Sequence, residues 1–215
     1  MHERSESNRR YHLLTLLLAL SLAGCIGTDR RGDDDDAAND DDSVGDDDDD
    51  GCDEYGPEND WWHACAQDIP EGLSGTGFGA GQVASNFTLL DQFGNDVELY
   101  QFYGKIIVLD VFAQWCGPCQ ENAPHGQDLW EQGGGEVIML GSMLQNDVSS
   151  PPSTKDVATW AEAFGLEHPV LADTPEFNSP YVVTGFPTYI VIDREMNIVN
   201  DDLWPFDIDY VLDLL

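Results

Sequence analysis

The sequence predicts an α/β domain over residues 80–215, with a central mixed sheet flanked by helices. Three observations carry that expectation. Strand-like and helix-like segments alternate along this stretch, which favours a layered α/β architecture. Ile106 to Phe112 is a near-continuous apolar run broken only by Asp110, the pattern of a strand buried on both faces. Cys116-Gly117-Pro118-Cys119 follows three residues after that run, where a helix is expected to open.

The elements follow in order. Phe87–Leu90 and Val97–Leu99 flank Asp91-Gln92-Phe93-Gly94-Asn95 and read as an N-terminal hairpin. The buried strand from Ile106 comes next. A helix is expected from Cys116 to about Gln132, ended by Gly133-Gly134-Gly135. Val137–Leu140 is a second buried strand. Ser153 can cap an extra helix in which Val157, Trp160, Ala161 and Phe164 share one face. Val170-Leu171 is short and apolar. Tyr189–Ile192 and Ile198–Val199 read as an antiparallel pair, and Asp207 to Leu215 as a short final helix. Trp160 and Phe164 are expected in the core, His168 in a loop, and Glu121 and His125 on the exposed side of their helix.

The chain before this domain is unlike it. Of 42 acidic residues against 8 basic ones, thirteen acids lie between Asp29 and Asp50. Such a run buries no core and repels itself, so residues 25–51 read as an extended acidic linker. The spaced ligands and turn glycine of a calcium loop are absent from it. From Ala80 onward 21 acidic residues face 3 basic ones, a net of −18, which excludes a nucleic-acid partner. Residues 1–24 combine Arg4, Arg9 and Arg10 with an apolar Leu13–Leu22 stretch too short to span a bilayer, the form of a secretory signal. Leu22-Ala23-Gly24-Cys25 resembles the bacterial lipobox. That resemblance implies a diacylated Cys25 at the mature N-terminus and a domain anchored to a membrane, facing the periplasm or the cell exterior. Ile26 after Cys25 favours the outer membrane. Residues 52–79 form a small lead-in with Trp61-Trp62 between Cys52 and Cys65 and a loose stretch from Gly72 to Gly81.

Five cysteines remain to be sorted. If Cys25 carries lipid, Cys116 and Cys119 form one pair, and Cys52 and Cys65 are left for each other. In an oxidising compartment that bridge would stabilise by up to ~3 kcal/mol. The rival is a zinc site built from all four. One C-x-x-C alone, with no histidine at ligand spacing beside the other two, argues against it, so no metal is expected.

Cys116 should open a helix directly after a buried strand. Helix N-termini carry unpaired N–H groups and partial positive charge, and both favour thiolate, the attacking species. Cys119, one turn on, can resolve a mixed disulfide. Pro118 restricts the turn between them.

The segment Leu109-Asp110-Val111-Phe112-Ala113-Gln114-Trp115-Cys116-Gly117-Pro118-Cys119 resembles the active-site segment of thioredoxins. Pro124 matches the proline in their active-site helix, and Gly185-Phe186-Pro187-Thr188 resembles their cis-proline loop. Tyr103-Gly104-Lys105 before the strand, the extra helix, and Pro169-Val170-Leu171-Ala172-Asp173 are similar to the membrane-tethered TlpA/ResA-type thioredoxins and their redoxin relatives. The resemblance spans about 135 residues and implies a thioredoxin fold for residues 80–215. By it, Cys116 would be an exposed nucleophile and Cys119 a sheltered resolving thiol. Trp115, Gly117 and Pro118 would contact the substrate. Pro187 would be cis, with the Phe186 backbone pairing with an extended substrate segment. Asp110 would be the buried acid that takes the Cys119 proton. The lysine that often pairs with this acid in thioredoxins has no counterpart in Glu136–Leu144.

The expected activity is therefore exchange of a Cys116–Cys119 dithiol/disulfide with protein thiols and disulfides outside the cytoplasm, without a cofactor. Gly117-Pro118 leans toward a reductant, with a membrane thiol transporter of the DsbD/CcdA type as electron donor. A disulfide-forming oxidant is the alternative. A thiol peroxidase would want Pro and Thr where Leu109 and Ala113 stand, and a redox-inert binding lipoprotein would want a damaged C-x-x-C.

Overall fold

The computed structural model describes residues 52–173, 183 and 185–215. The expected signal segment (1–24), acidic linker (25–51) and lipidated Cys25 lie outside the described residues.

Seven strands form one mixed sheet: β1 Thr88–Leu90, β2 Asp96–Glu98, β3 Ile106–Ala113, β4 Val137–Gln145, β5 Val170–Ala172, β6 Thr188–Ile192 and β7 Ile198–Asn200. Their spatial order is β2-β1-β5-β4-β3-β6-β7. β3, β4 and β5 run parallel, and β1, β2, β6 and β7 join by antiparallel pairing. Among the described residues three α-helices accompany the sheet: α1 Gly117–Gln132, α2 Thr154–Phe164 and α3 Ile208–Leu212. This is the mixed α/β sheet with flanking helices that the sequence predicts.

β3 is the axis of the sheet. All eight of its residues are buried, because it pairs with β4 on one side and β6 on the other. Its side chains alternate between two faces. Ile107, Leu109 and Val111 enter one core with Leu99, Phe102, Leu140 and Ile190. Ile106 and Val108 enter another with Leu129, Val137 and Met139. That alternation turns Asp110 toward the face covered by α1.

Several element ends differ from expectation, and two of them have a clear physical reason. β4 continues to Gln145 rather than stopping at Leu140, because Gly141, Ser142 and Met143 stay paired with Asp110, Val111 and Phe112. Gly141 and Ser142 carry no apolar signal, so the strand looked shorter. β2 ends at Glu98, and Leu99 instead starts a buried helical turn over Leu99–Phe102. α2 begins as expected. The Ser153 hydroxyl accepts from the Asp156 N–H, while an Asp156 carboxylate oxygen accepts from the Ser153 N–H at 2.7 Å. Gly165 ends it at φ +64°, a conformation that costs glycine little.

The lead-in is bonded to the sheet. A Cys52–Cys65 disulfide closes it, and the Ala64 N–H donates to the Gln101 carbonyl at 2.7 Å. Buried Gln101 accepts from the Asn59 amide at 3.0 Å. Trp61 reaches beyond the lead-in. Its Nε1–H donates to Asp91 Oδ2 at 2.9 Å, and its ring meets that of Trp130 on α1 edge-on at 6.4 Å. The Gly72–Gly81 stretch is likewise tied down. Thr76 N–H donates to the Val83 carbonyl, and Gly81 N–H to that of Ile198, which anchors the stretch to the β7 edge.

Asp91 is fully buried, and its carboxylate accepts from Trp61, from Phe93 N–H and from Asn95 N–H. Trp61→Phe keeps the ring and removes one of these donors. A loss of about 1–3 kcal/mol is expected, read as a lower urea midpoint with unchanged m-value.

Candidate active site

The end of β3 sets the site. Past Ala113 the chain turns tightly, with the Cys116 N–H donating to the Ala113 carbonyl at 3.1 Å. Cys116 is the N-cap of α1, and its Sγ accepts from the Cys119 N–H at 3.1 Å. The sulfur thus occupies the position where a capping oxygen normally satisfies a free helix N–H. Pro118 fits the first turn, where no N–H partner is needed. The two sulfurs are joined as a disulfide.

Both cysteines are sheltered in this oxidised form, Cys116 at 4 % exposure and Cys119 at 2 %. The expectation of an exposed Cys116 is therefore corrected. Capping turns its sulfur inward against the helix end, where it packs in a cluster with Phe112, Ala113 and Ala123. The exposed feature is Trp115, at 49 %, held by its Nε1–H donating to Gln145 Oε1 at 2.9 Å.

β6 delivers the opposite wall. Its register pairs Thr188 with Val111 and Tyr189 with Asp110, so Phe186 and Pro187 fall just beyond the end of β3. The Phe186–Pro187 bond is cis, and the Phe186 ring meets Trp115 edge-on at 5.9 Å. Pro118, Phe186, Pro187, Thr188, Asp202 and Trp204 line a groove of about 310 Å³. Gly117, in the first turn of α1, leaves open space where a Cβ would stand. Trp204, 52 % exposed, was not singled out from sequence. It follows the β7 edge strand, and the Leu203 N–H bond to the Tyr189 carbonyl brings it here. No local pattern marks that.

Asp110 lies beneath. It lines a small gap with Ala123 and Gly126, which stand one and two turns beyond Cys119 on α1. Its Oδ1 is buried and has no hydrogen-bond partner among the described residues. Burial alone pushes its carboxyl up to about 8, with no cation acting on it. Lys105 stands at the other end of β3, where it pairs with Glu136 at 2.7 Å. The residue that shares the gap with Asp110 is His168, which the sequence placed merely in a loop. It is in that loop but only 2 % exposed, and burial pushes its imidazole down to about 4.

Glu121 and His125 sit on the solvent side of α1, His125 facing Asp128 at 3.6 Å. Among the described residues, no group of three or more His, Cys, Asp or Glu is placed to hold a metal, and no helix is long and apolar enough to cross a membrane.

Asp110 and His168 give opposite pH dependences. An unfolded Asp titrates near ~3.9, so between there and about 8 the folded protein holds a proton that the unfolded chain releases, and stability falls as pH rises. Between about 4 and ~6.5 the unfolded chain binds a proton at His168 that the folded protein refuses, and stability rises with pH. The two cancel below ~6.5, which leaves a decline attributable to Asp110 between ~6.5 and 8. Oxidised Asp110→Asn should lose that decline. Urea titrations at both ends of the window should show it gaining about 1–2 kcal/mol on wild type as pH rises.

Residues 80–200 match the AhpC/TSA family. The chain is 29 % identical over 125 residues to the thioredoxin-like protein YneN of Bacillus subtilis, covering 58 % of this chain and 71 % of that one. It is 28 % identical over 125 residues to the thiol-disulfide oxidoreductase ResA of Bacillus thuringiensis, covering 56 % and 68 %. Among solved structures it resembles the thioredoxin domain of a thiol-disulfide oxidoreductase from Bacteroides vulgatus, with a TM-score of 0.54 and 21 % identity over 62 % of this chain and 95 % of that one. It also resembles the exposed lipoprotein thioredoxin Etrx1 of Streptococcus pneumoniae, with a TM-score of 0.51 and 24 % identity over 60 % and 96 %. The structural likenesses establish a thioredoxin fold.

Proposed function

The chain belongs to the AhpC/TSA family and is a thioredoxin-like thiol–disulfide oxidoreductase; we propose that it works outside the cytoplasm as a lipid-anchored reductant of protein disulfides. The observation that carries the redox chemistry is the Cys116–Cys119 pair at the N-cap of α1, with an unpaired buried carboxyl behind it.

In the reduced protein the α1 N-terminus favours the Cys116 thiolate. That thiolate attacks one sulfur of a client disulfide, and the other client sulfur leaves as a thiolate and takes a proton from water. Cys119 then attacks Cys116 Sγ, releasing the second client sulfur and closing the Cys116–Cys119 bond. Two electrons pass to the client. The Cys119 proton goes to Asp110, whose buried carboxylate accepts it readily because burial penalises its charge. Trp115, Phe186 and Trp204 provide the apolar rim against which a client segment lies, with Gly117, Pro118 and Pro187 at its floor.

Peroxidase chemistry has less support: Leu109 and Ala113 occupy the positions where a peroxidatic cysteine wants Pro and Thr. Wild type should reduce insulin with dithiothreitol as donor and consume little peroxide, and Cys116→Ser should abolish the insulin activity. Equal insulin rates in the variant would sink the mechanism. Direction is read from the Cys116–Cys119 potential. A value near ~−270 mV supports a reductant supplied by a membrane thiol transporter, and one near ~−120 mV makes the protein an oxidant.

The location rests on residues 1–25, with Cys25 as lipid acceptor at the end of an acidic tether of about 25 residues. Expressed in a bacterial host, the wild type should fractionate with membranes and incorporate labelled palmitate, whereas Cys25→Ala should do neither. Unlabelled wild type in the cytosol would reject the anchor.

A further inference from the structure

Proton balance asks for something beyond the two cysteines and Asp110. Each closure of the disulfide leaves a proton on Asp110, so its acid form must be tolerated in a nearly apolar place. The gap under Asp110 is walled by Phe112, Ala123, Met139, Trp160 and Leu166. One polar ring enters it, that of His168.

The ring's orientation follows from one contact. Nδ1 lies 3.2 Å from the Pro169 carbonyl oxygen. A carbonyl can only accept, so Nδ1 carries the hydrogen, and in the neutral ring Nε2 is a bare acceptor. Nε2 faces α1: a Cβ added at Gly126 would stand 3.6 Å from it. A Cβ at Gly141 on β4 would stand 3.7 Å from the ring's Cε1. Gly126 on the active-site helix and Gly141, opposite Asp110 in the sheet register, thus flank the imidazole at contact distance. The gap that remains, about 10 Å³, is about what one water needs, and both Asp110 and His168 line it.

We infer that His168 is a positioning residue for the redox reaction: its Nε2 accepts, through one water in this gap, the hydrogen bond of the Asp110 acid form. The inference rests on the dithiol reading above. No bond between heavy atoms changes. The Asp110 O–H donates to the water, and the water donates to Nε2. A cation would favour the Asp110 carboxylate, while a neutral acceptor favours its acid form. The ring can play this part because burial keeps it neutral well below neutral pH. The other titratable group against Asp110 is Tyr189, its partner on β6, whose phenol is pushed far up by burial and stays neutral. β4 and α2 present Met139, Gly141 and Trp160 to the gap, and α1 presents Ala123 and Gly126, none of them titratable.

The test reads Asp110 directly, by carbon-13 NMR of labelled aspartate carboxyls in the oxidised full chain, with Asp110→Asn assigning the resonance. His168→Asn keeps a donor where Nδ1 stands and removes the acceptor at the Nε2 position, so the Asp110 midpoint should fall by about one pH unit. His168→Gln carries an acceptor out to the Nε2 position and should restore most of that unit. Midpoints that stay at the wild-type value, or that move equally in both variants, would overturn the inference. Wild-type protein offers a second reading that needs no variant. Nitrogen-15 shifts of His168 should show the Nδ1–H tautomer throughout, with Nε2 responding as Asp110 titrates near 8; an Nε2–H tautomer would overturn it. Neither measurement depends on insulin reduction, so failure of the dithiol reading and failure of the His168 role are separately visible.

Discussion

The site depends on the junction at which β3, locked on both sides by pairing, hands the chain to α1. Because β4 and β6 hold β3 in register, its end has one position, and the helix that starts there has one origin. Cys116 is simultaneously the last residue of the turn, the cap of the helix and, in the mechanism proposed above, the nucleophile. A single placement therefore supplies the positive end of a helix, the approach of Cys119 and the burial of both sulfurs. Moving β3 by one residue would send Asp110 to the opposite face, away from α1.

Charge is managed differently at the two buried aspartates whose surroundings are most complete. Asp91 is surrounded by donors from Trp61, Phe93 and Asn95, and it ties the lead-in to the first hairpin. Asp110 has an oxygen without such a donor, and burial raises its carboxyl to about 8. The first arrangement suits a structural anion. The second suits a group that must hold and release a proton at working pH, which is what resolution of a mixed disulfide demands. The cost is a carboxyl that opposes folding as pH rises, accepted at the one place where chemistry needs it.

Around this buried chemistry the surface is divided. The domain is acidic throughout, yet the rim beside the disulfide is made of Trp115, Phe186 and Trp204. In the proposed exchange, an apolar rim with a cis-proline loop at its floor would suit an extended client segment, whose main-chain groups could pair there while its side chains rest on the rings. Three different parts of the chain supply that rim: the β3–α1 turn, the loop before β6 and the loop after β7.

By itself the sequence determined the layered fold, the central strand and the redox helix. Each is a matter of local periodicity or spacing: an apolar run, a C-x-x-C shortly after it, a Ser cap before an amphipathic stretch. What only the tertiary structure decided is everything that depends on two distant segments meeting. β4 reaches Gln145 because β3 pairs with residues that carry no apolar signal. Trp61 joins α1, and Trp204 joins the groove, through contacts across long stretches of chain. His168 is buried against Gly126 and Gly141, both far from it in sequence. Burial and room are properties of neighbours in space, and a one-dimensional pattern records neighbours in sequence alone.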